Sequence, residues 1–283
     1  MTSEKAHLQW EIRPQTPWLG SGWRELYAYK DLLFRLVRKE FLTSYQQTLL
    51  GPLWVLIQPI LTVLTSILIF NKVIGISTDG IPPVLYYLAG ITLWNLFADI
   101  FYNTSSTFIQ NEKVFSKVYF PRIIAPLSIV CLNLLRFGIQ LGFLIIAILY
   151  YYLTGQVELH LNTWLLCIPA IIMTVQIGLG AGLLFSIITA KYRDLLNILQ
   201  LMIRLLMFIC PIFYPMSIVP GKYKWLMNLN PLSTQFELYR YAFLGTGSLN
   251  PSLVWYSVIS SMLLLAVSLL LFNRMGDKIM DVV

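Results

Sequence analysis

Asn111 to Arg122 reads N-E-K-V-F-S-K-V-Y-F-P-R and interrupts two long apolar runs with charge. The run before it, Val84 to Ile109, and the run after it, Ile123 to Tyr152, can each cross a bilayer, since about 20 residues at 1.5 Å rise cover roughly 30 Å of hydrocarbon. The interruption therefore sits at a membrane face. Lys113, Lys117 and Arg122 put it on the cytoplasmic side, where short loops collect Lys and Arg. Val114, Phe115, Val118, Tyr119 and Phe120 offer apolar surface between those charges. Pro121 stands where the next helix would begin, a position that tolerates its missing N–H. The stretch is predicted to be a short helix lying across the membrane face, a docking element.

The 283 residues are 57% hydrophobic and only 12% charged, with a mean hydropathy of +0.70, and the apolar residues are gathered into blocks. This composition excludes an ordinary soluble domain and describes a polytopic membrane protein. The net charge of +7 does not point to nucleic acid, because the lysines and arginines form no single stripe and follow the ends of the apolar blocks. Cys131, Cys167 and Cys210 lie within apolar runs, in no disulfide or metal pattern, and read as small buried hydrophobes. Residues 1 to 30 hold no apolar core followed by a small-residue cleavage site, so the first span is expected to direct insertion itself.

Working outward, residues 1–29 are a polar and aromatic lead with Pro14, Pro17, Gly20 and Gly22. Residues 30–47 form an amphipathic interfacial helix: Asp31, Arg35, Arg38, Lys39 and Gln46 share one face opposite Leu33, Val37 and Phe41. Residues 48–275 are the transmembrane domain, and 276–283 a cytoplasmic tail. Its six spans are predicted at Leu49 to Phe70, Val84 to Ile109, Ile123 to Tyr152, Trp164 to Ile188, Leu195 to about Val219, and Ser252 to Phe272. Pro59 predicts a kink in the first span, and Pro211 with Pro215 a break in the fifth. Asp79-Gly80 marks a turn in the outer link between the first two spans. Gly178 and Gly182 make a G-x-x-x-G pair that favours close helix packing in the fourth span. Residues 220–250 are too interrupted to span yet too apolar for a free loop, which implies a re-entrant or interfacial helical pair buried by protein. Cytoplasmic segments then hold 14 Lys and Arg against 4 outside, placing both termini in the cytoplasm.

Asp99, Arg136 and Arg204 fall at membrane depth, roughly 17, 20 and 14 Å from the cytoplasmic ends of their spans. Charges there are costly and are paired or face water, so Asp99 is expected either to pair with Arg136 or Arg204 as a clamp or to line a pathway. Asn95, Asp99 and Asn103 give the second span one polar stripe. Catalytic signals are absent from the sequence: there is no G-x-x-x-x-G-K-[ST] phosphate loop and no G-x-S-x-G elbow. His7 and His160 stand alone, and the 13 acids show no metal-ligand spacing. A membrane enzyme is thus disfavoured. A proton-driven carrier would need a titratable relay, and only one intramembrane acid is present.

Tyr45-Gln46-Gln47-Thr48-Leu49-Leu50-Gly51-Pro52-Leu53-Trp54 with Gln58-Pro59, the K-V-Y-F-P-R ending at Arg122, Arg193-Asp194-Leu195 and Asn230-Pro231 together resemble the membrane subunits of ATP-binding-cassette exporters of lipid-linked polysaccharides, the O-antigen, capsular and teichoic-acid type. The resemblance covers about residues 28 to 275. One position departs from that pattern: a basic residue often precedes the tyrosine of the first motif, and here it is Ser44. The resemblance implies a homodimer in the bacterial inner membrane, docked to two copies of a separate ATPase that binds ATP and Mg. It implies that 111–120 is the coupling helix, with Glu112, Lys113, Val114, Phe115, Lys117 and Tyr119 at the ATPase contact, and that 220–245 are gate helices at the outer mouth. The expected cargo is a lipid-linked glycan, with Arg35, Arg38 and Lys39 attracting a lipid diphosphate near the inner interface. Trp54, Phe70, Trp94, Phe208 and Tyr214 are candidate aromatic contacts for sliding sugars. Export of a drug or simple lipid by the same fold stays open as the alternative.

Overall fold

A computed structural model describes residues 27–111, 120–247 and 249–279, with side chains as far as Met275. The charged interruption at 112–119, which holds Glu112, Lys113, Val114, Phe115, Lys117 and Tyr119, lies outside the described residues. Within them the chain is all helical. A first helix, α1 (Lys30–Tyr45), precedes the spans. The next, α2, runs over Gly51–Val73, entered by one 3-10 turn at Gly51–Leu53 and ending in a π-helical stretch, Ile67–Val73. Then come α3 (Pro83–Ser105), α4 (Ile124–Leu153) and α5 (Leu161–Lys191). Last are α6 (Leu195–Ile209), α7 (Gly221–Leu229), α8 (Pro231–Leu244) and α9 (Pro251–Ile279).

Five of these helices, α2, α3, α4, α5 and α9, are long and apolar enough to cross a membrane. The fifth span expected from the sequence is shorter than predicted. Its helix stops at Ile209, and Cys210 turns to extended backbone with ψ 146°. Pro211 explains the stop, since proline disfavours the helical region for the residue before it and cannot donate to the next turn. At 15 residues α6 reaches only about 22 Å. The chain then continues through Cys210, Ile212 and Phe213, all buried, as protein-covered irregular backbone must be at membrane depth.

α5 is sandwiched between α3 and α9 in a slab whose buried middle is α3 with α5, and whose outer side is α9. Glycines on α5 let its neighbours approach from two sides. A Cβ on Gly178 would stand 3.2 Å from the Phe97 carbonyl of α3, and one on Gly182 only 2.5 Å from Thr104 Cβ. On the opposite face, a Cβ on Gly180 would meet the Leu265 backbone of α9 at 3.3 Å. Polar side chains tie α5 to α3, α8 and α9, as interhelical hydrogen bonds do where water is absent. Thr189 Oγ1 donates to the Ser105 carbonyl at 2.6 Å, Thr174 Oγ1 to Gln235 Oε1 at 2.8 Å, and Ser261 Oγ to Gln176 Oε1 at 3.0 Å.

The helical pair expected in 220–250 is present as α7 and α8. Asn230 caps α8 by accepting from the Leu232 N–H at 3.1 Å, and Gly245 ends it in the left-handed region, where glycine pays no steric cost. Phe236, Tyr239 and Phe243 are buried against the slab, whereas α7 packs on α8 and leaves Tyr223 and Trp225 exposed. Two ends of the bundle follow from this topology. The first end carries α1 and the links around residues 111 and 192–194; the second carries 74–82, 154–160 and the 210–250 region.

Candidate functional site

Two polar cavities mark the bundle, and the larger, of about 810 Å³, lies where α1 meets α2, α3 and α4. Leu33 and Val37 turn α1 inward against α4, which brings its last turn to the cavity rim. There Arg136 Nη2 of α4 donates to Ser44 Oγ at 3.0 Å, and the guanidinium lies 5.8 Å from the Tyr45 ring centre. Deeper on the same helix, Gln140 Nε2 donates to the Val55 carbonyl of α2 at 3.2 Å, while its Oε1 is buried without a partner. Asn95 and Asp99 line the wall from α3, and Trp54, Gln58 and Thr62 from α2.

Asp99 and Arg136 both border this space, and the Arg136 charge acts on the Asp99 carboxylate. Among the described residues they form no direct ion pair, so the two charges face a shared cavity rather than each other's contact shell. Arg204 lies on an exposed face of α6. The bond to Ser44 puts Arg136 level with the last turn of α1, and α4, at 30 residues, is about 45 Å long, more than a bilayer core. A small recess of about 110 Å³ also touches Ser44 and Arg136 from the first-end side, lined by Glu40, Asn103, Asn111 and Ser128 among others.

The aromatic candidates fall in different places. Trp54 is half-exposed on the cavity wall. Phe70, in the π-helical stretch, stacks on Phe213 with ring centres 4.5 Å apart, and Phe208 lies 5.7 Å from the same ring. Phe208 is exposed. Tyr214 donates its hydroxyl to the carbonyls of Ile209 at 2.9 Å and Phe208 at 3.1 Å, which satisfies acceptors left open where α6 stops. Trp94 is only 4% exposed and packs on Phe97 and Phe236 in the slab. Arg35, Arg38 and Lys39 are exposed on the outward face of α1.

One of the four cations counted on the outer side has a large structural part. Arg240 is 3% exposed; its guanidinium covers the Tyr86 ring at 4.4 Å from the centre, meets Glu237 Oε1 at 3.4 Å, and donates to the Pro211 carbonyl. It ties α8 to α3 and to the break after α6. Its spacing from Glu237 was readable as an i, i+3 pair, but its partners on α3 and at Pro211 lie far off in sequence. Among the described residues no group of three or more His, Cys, Asp or Glu side chains is placed to hold a metal ion.

A bundle of membrane-length helices around a polar cavity that opens beside α1 has the architecture of a membrane permease. The chain belongs to the ABC-2 type transporter family, whose pattern matches residues 31–244. It is 27% identical over 253 residues to the O-antigen export system permease protein RfbA of Klebsiella pneumoniae, covering 89% of this chain and 95% of that protein. The protein of the same name from Myxococcus xanthus is 27% identical, over 78% of this chain and 83% of its own length. The polysialic acid transport protein KpsM of Escherichia coli is 24% identical, over 73% and 79% respectively.

Proposed function

We propose that the chain is the membrane subunit of an ATP-driven exporter that moves a lipid-linked polysaccharide, or a polyol-phosphate polymer, out of the cytoplasm. The observation that carries this reading is the cavity beside α1. It joins a cation, Arg136, to amides, hydroxyls and two aromatic rings, Trp54 and Tyr45, in one space of about 810 Å³. A diphosphate needs the cation and sugar rings need the rest. Relatives named for O-antigen export and polysialic acid transport favour a glycan over a drug or simple lipid.

In this reading the first end faces the cytoplasm of a bacterial inner membrane, with both termini there, and α7 and α8 stand at the outer mouth. Arg35, Arg38 and Lys39 gather the anionic headgroup at the interface, and Arg136 receives it at the rim, supplying from α4 the positive charge that Ser44 does not. The sugar chain then passes Trp54 and, further along α2 and α6, Phe70 and Phe208. Two copies form the conduit across the bare faces of α2 and α6. ATP and Mg are bound by a separate ATPase, two copies of which dock on 111–120.

Purification in mild detergent with the neighbouring gene products tests this. The expected outcome is a two-to-two complex whose ATP hydrolysis is lost on replacing Val114, Phe115 and Tyr119 with alanine. A chain that purifies alone and never recruits an ATPase refutes the docking. Neutralising Arg35, Arg38 and Lys39 together is expected to lower export at unchanged membrane insertion, and unchanged export removes their role.

A further inference from the structure

The second cavity lies at the other end, and nothing in the transport path just described uses it. It encloses about 420 Å³, within the about 300–1,000 Å³ range of small-molecule sites. Its walls come from four separated pieces of chain: the 79 turn, the 216–217 segment, the α7–α8 pair, and the link into α9. On α8, Ser233 and Glu237 are one turn apart and share the wall. Lys224 and Asn228 repeat that spacing on α7.

Three observations show a site prepared for a ligand. Ser233 is 2% exposed, yet its hydroxyl has no partner, whereas the hydroxyls of Ser105, Ser128 and Ser186 all donate to carbonyls one turn back. A buried polar atom left open costs free energy unless something else satisfies it. Next, the Asp79 carboxylate is held toward the cavity by Ser217, whose Oγ lies 3.0 Å from both of its oxygens. Last, Gly247 has φ +120° and would place a Cβ 3.0 Å from Glu237 Oε2, so the backbone there is kept bare beside the carboxylate.

The chemistry of the walls selects the ligand. Asp79 only accepts hydrogen bonds, Lys224 only donates, and Asn228 and Ser233 do both, as does Glu237, whose carboxyl is pushed up to about 7 by burial and the nearby Asp79 charge. A molecule that suits all of these carries many groups that donate and accept at once. That is a sugar ring. Two carboxylates oppose an acidic sugar, and Arg240, which partners Glu237, is turned into the core. Among the described residues no aromatic side chain lines the cavity, so the ring is held by its hydroxyl edge and not by stacking.

We infer that this cavity is an exit subsite that binds neutral sugar units of the emerging glycan; the inference rests on the exporter reading above. Photo-cross-linking in cells that assemble and export the glycan tests it. p-Benzoyl-phenylalanine is placed singly at Asn228, in this cavity, at Gln58, in the cavity beside α1, and at Trp255, exposed on α9. The tagged chain is then purified and its peptides are weighed for sugar mass increments. Adducts are expected at 228 and 58 and not at 255. In the 228 background, Ser233→Ala is expected to lower the adduct about fivefold, the size of one lost hydrogen bond, with the 58 adduct unchanged. An adduct at 58 with none at 228 overturns the exit subsite and leaves the exporter reading intact. So does a 228 adduct insensitive to both Ser233→Ala and Glu237→Gln. Adducts at neither position overturn the exporter reading as well. If the 228 variant does not accumulate, Lys224, which is exposed on the same helix, takes its place with the same outcomes.

Discussion

The consecutive spans α2 and α3 differ sharply in burial: 78% of the most apolar window of α3 is buried in the protein, against 22% for α2. The less apolar of the two is the one inside. In water the order would be reversed, but lipid is as apolar as leucine, so helices gather in a bilayer by close packing and polar ties. α3 holds both, in the glycine-lined contact with α5 and the Thr189 bond to its last turn. α2 shows Leu61, Leu64 and Leu68 to its surroundings, and α6 does the same with Leu201 and Leu205.

Perturbing the slab should therefore cost far more than perturbing the flanks. The largest loss is expected for Arg240→Met, which leaves Glu237 and the Pro211 carbonyl without their buried cation: about 3 kcal/mol or more, read by denaturant unfolding in detergent. Gly182→Val, driving side-chain atoms into Thr104, should lose about 1–3 kcal/mol by the same measurement, and a smaller loss than this from Gly182→Val than from Gly180→Ala would break the assigned facing of the two glycines. Ser44→Ala removes one hydrogen bond between α1 and α4, outside the slab, and should cost about 1 kcal/mol or less. A double-mutant cycle with Arg136→Gln isolates that bond, and absence of coupling would remove it from the account. Leu64→Ala with Leu205→Ala, both on bare faces, should leave unfolding of the single chain within about 0.5 kcal/mol. The same pair should weaken self-association in detergent, measured by light scattering, if these faces meet a second copy.

Much of this contrast was legible in the sequence, and the remainder was hidden for physical reasons. Apolar blocks, the Asp79-Gly80 turn, the G-x-x-x-G pair and the amphipathic pattern of 30–47 are local signals, and each has its counterpart in the structure: Asp79 and Gly80 both have positive φ, at 51° and 81°, whereas Pro59 lies within the continuous helical run Trp54–Ser66. The early end of α6 was half visible, since Pro211 announced a break but not that the helix would fail to resume. Arg136 with Ser44 could not be read, because the two lie 92 residues apart. Arg240 was hidden for the same reason, its ring partner Tyr86 and its acceptor Pro211 belonging to other elements. The coupling residues at 112–119 stay a reading of the sequence.

The glycine contacts on the two faces of α5 bear on movement. Backbones in such contact cannot slide past one another without first separating, because packed interfaces shift between discrete arrangements and do not deform smoothly. α3, α5 and α9 are thereby a rigid body, and any stroke of a transport cycle falls to the parts outside it. Those parts are already marked: α2 changes winding at Ile67, α6 is short and ends in extended chain, and α1 reaches the bundle through a residue, Gln47, with φ 59°. Hinges belong at such places, where backbone torsions can change without breaking a packed core.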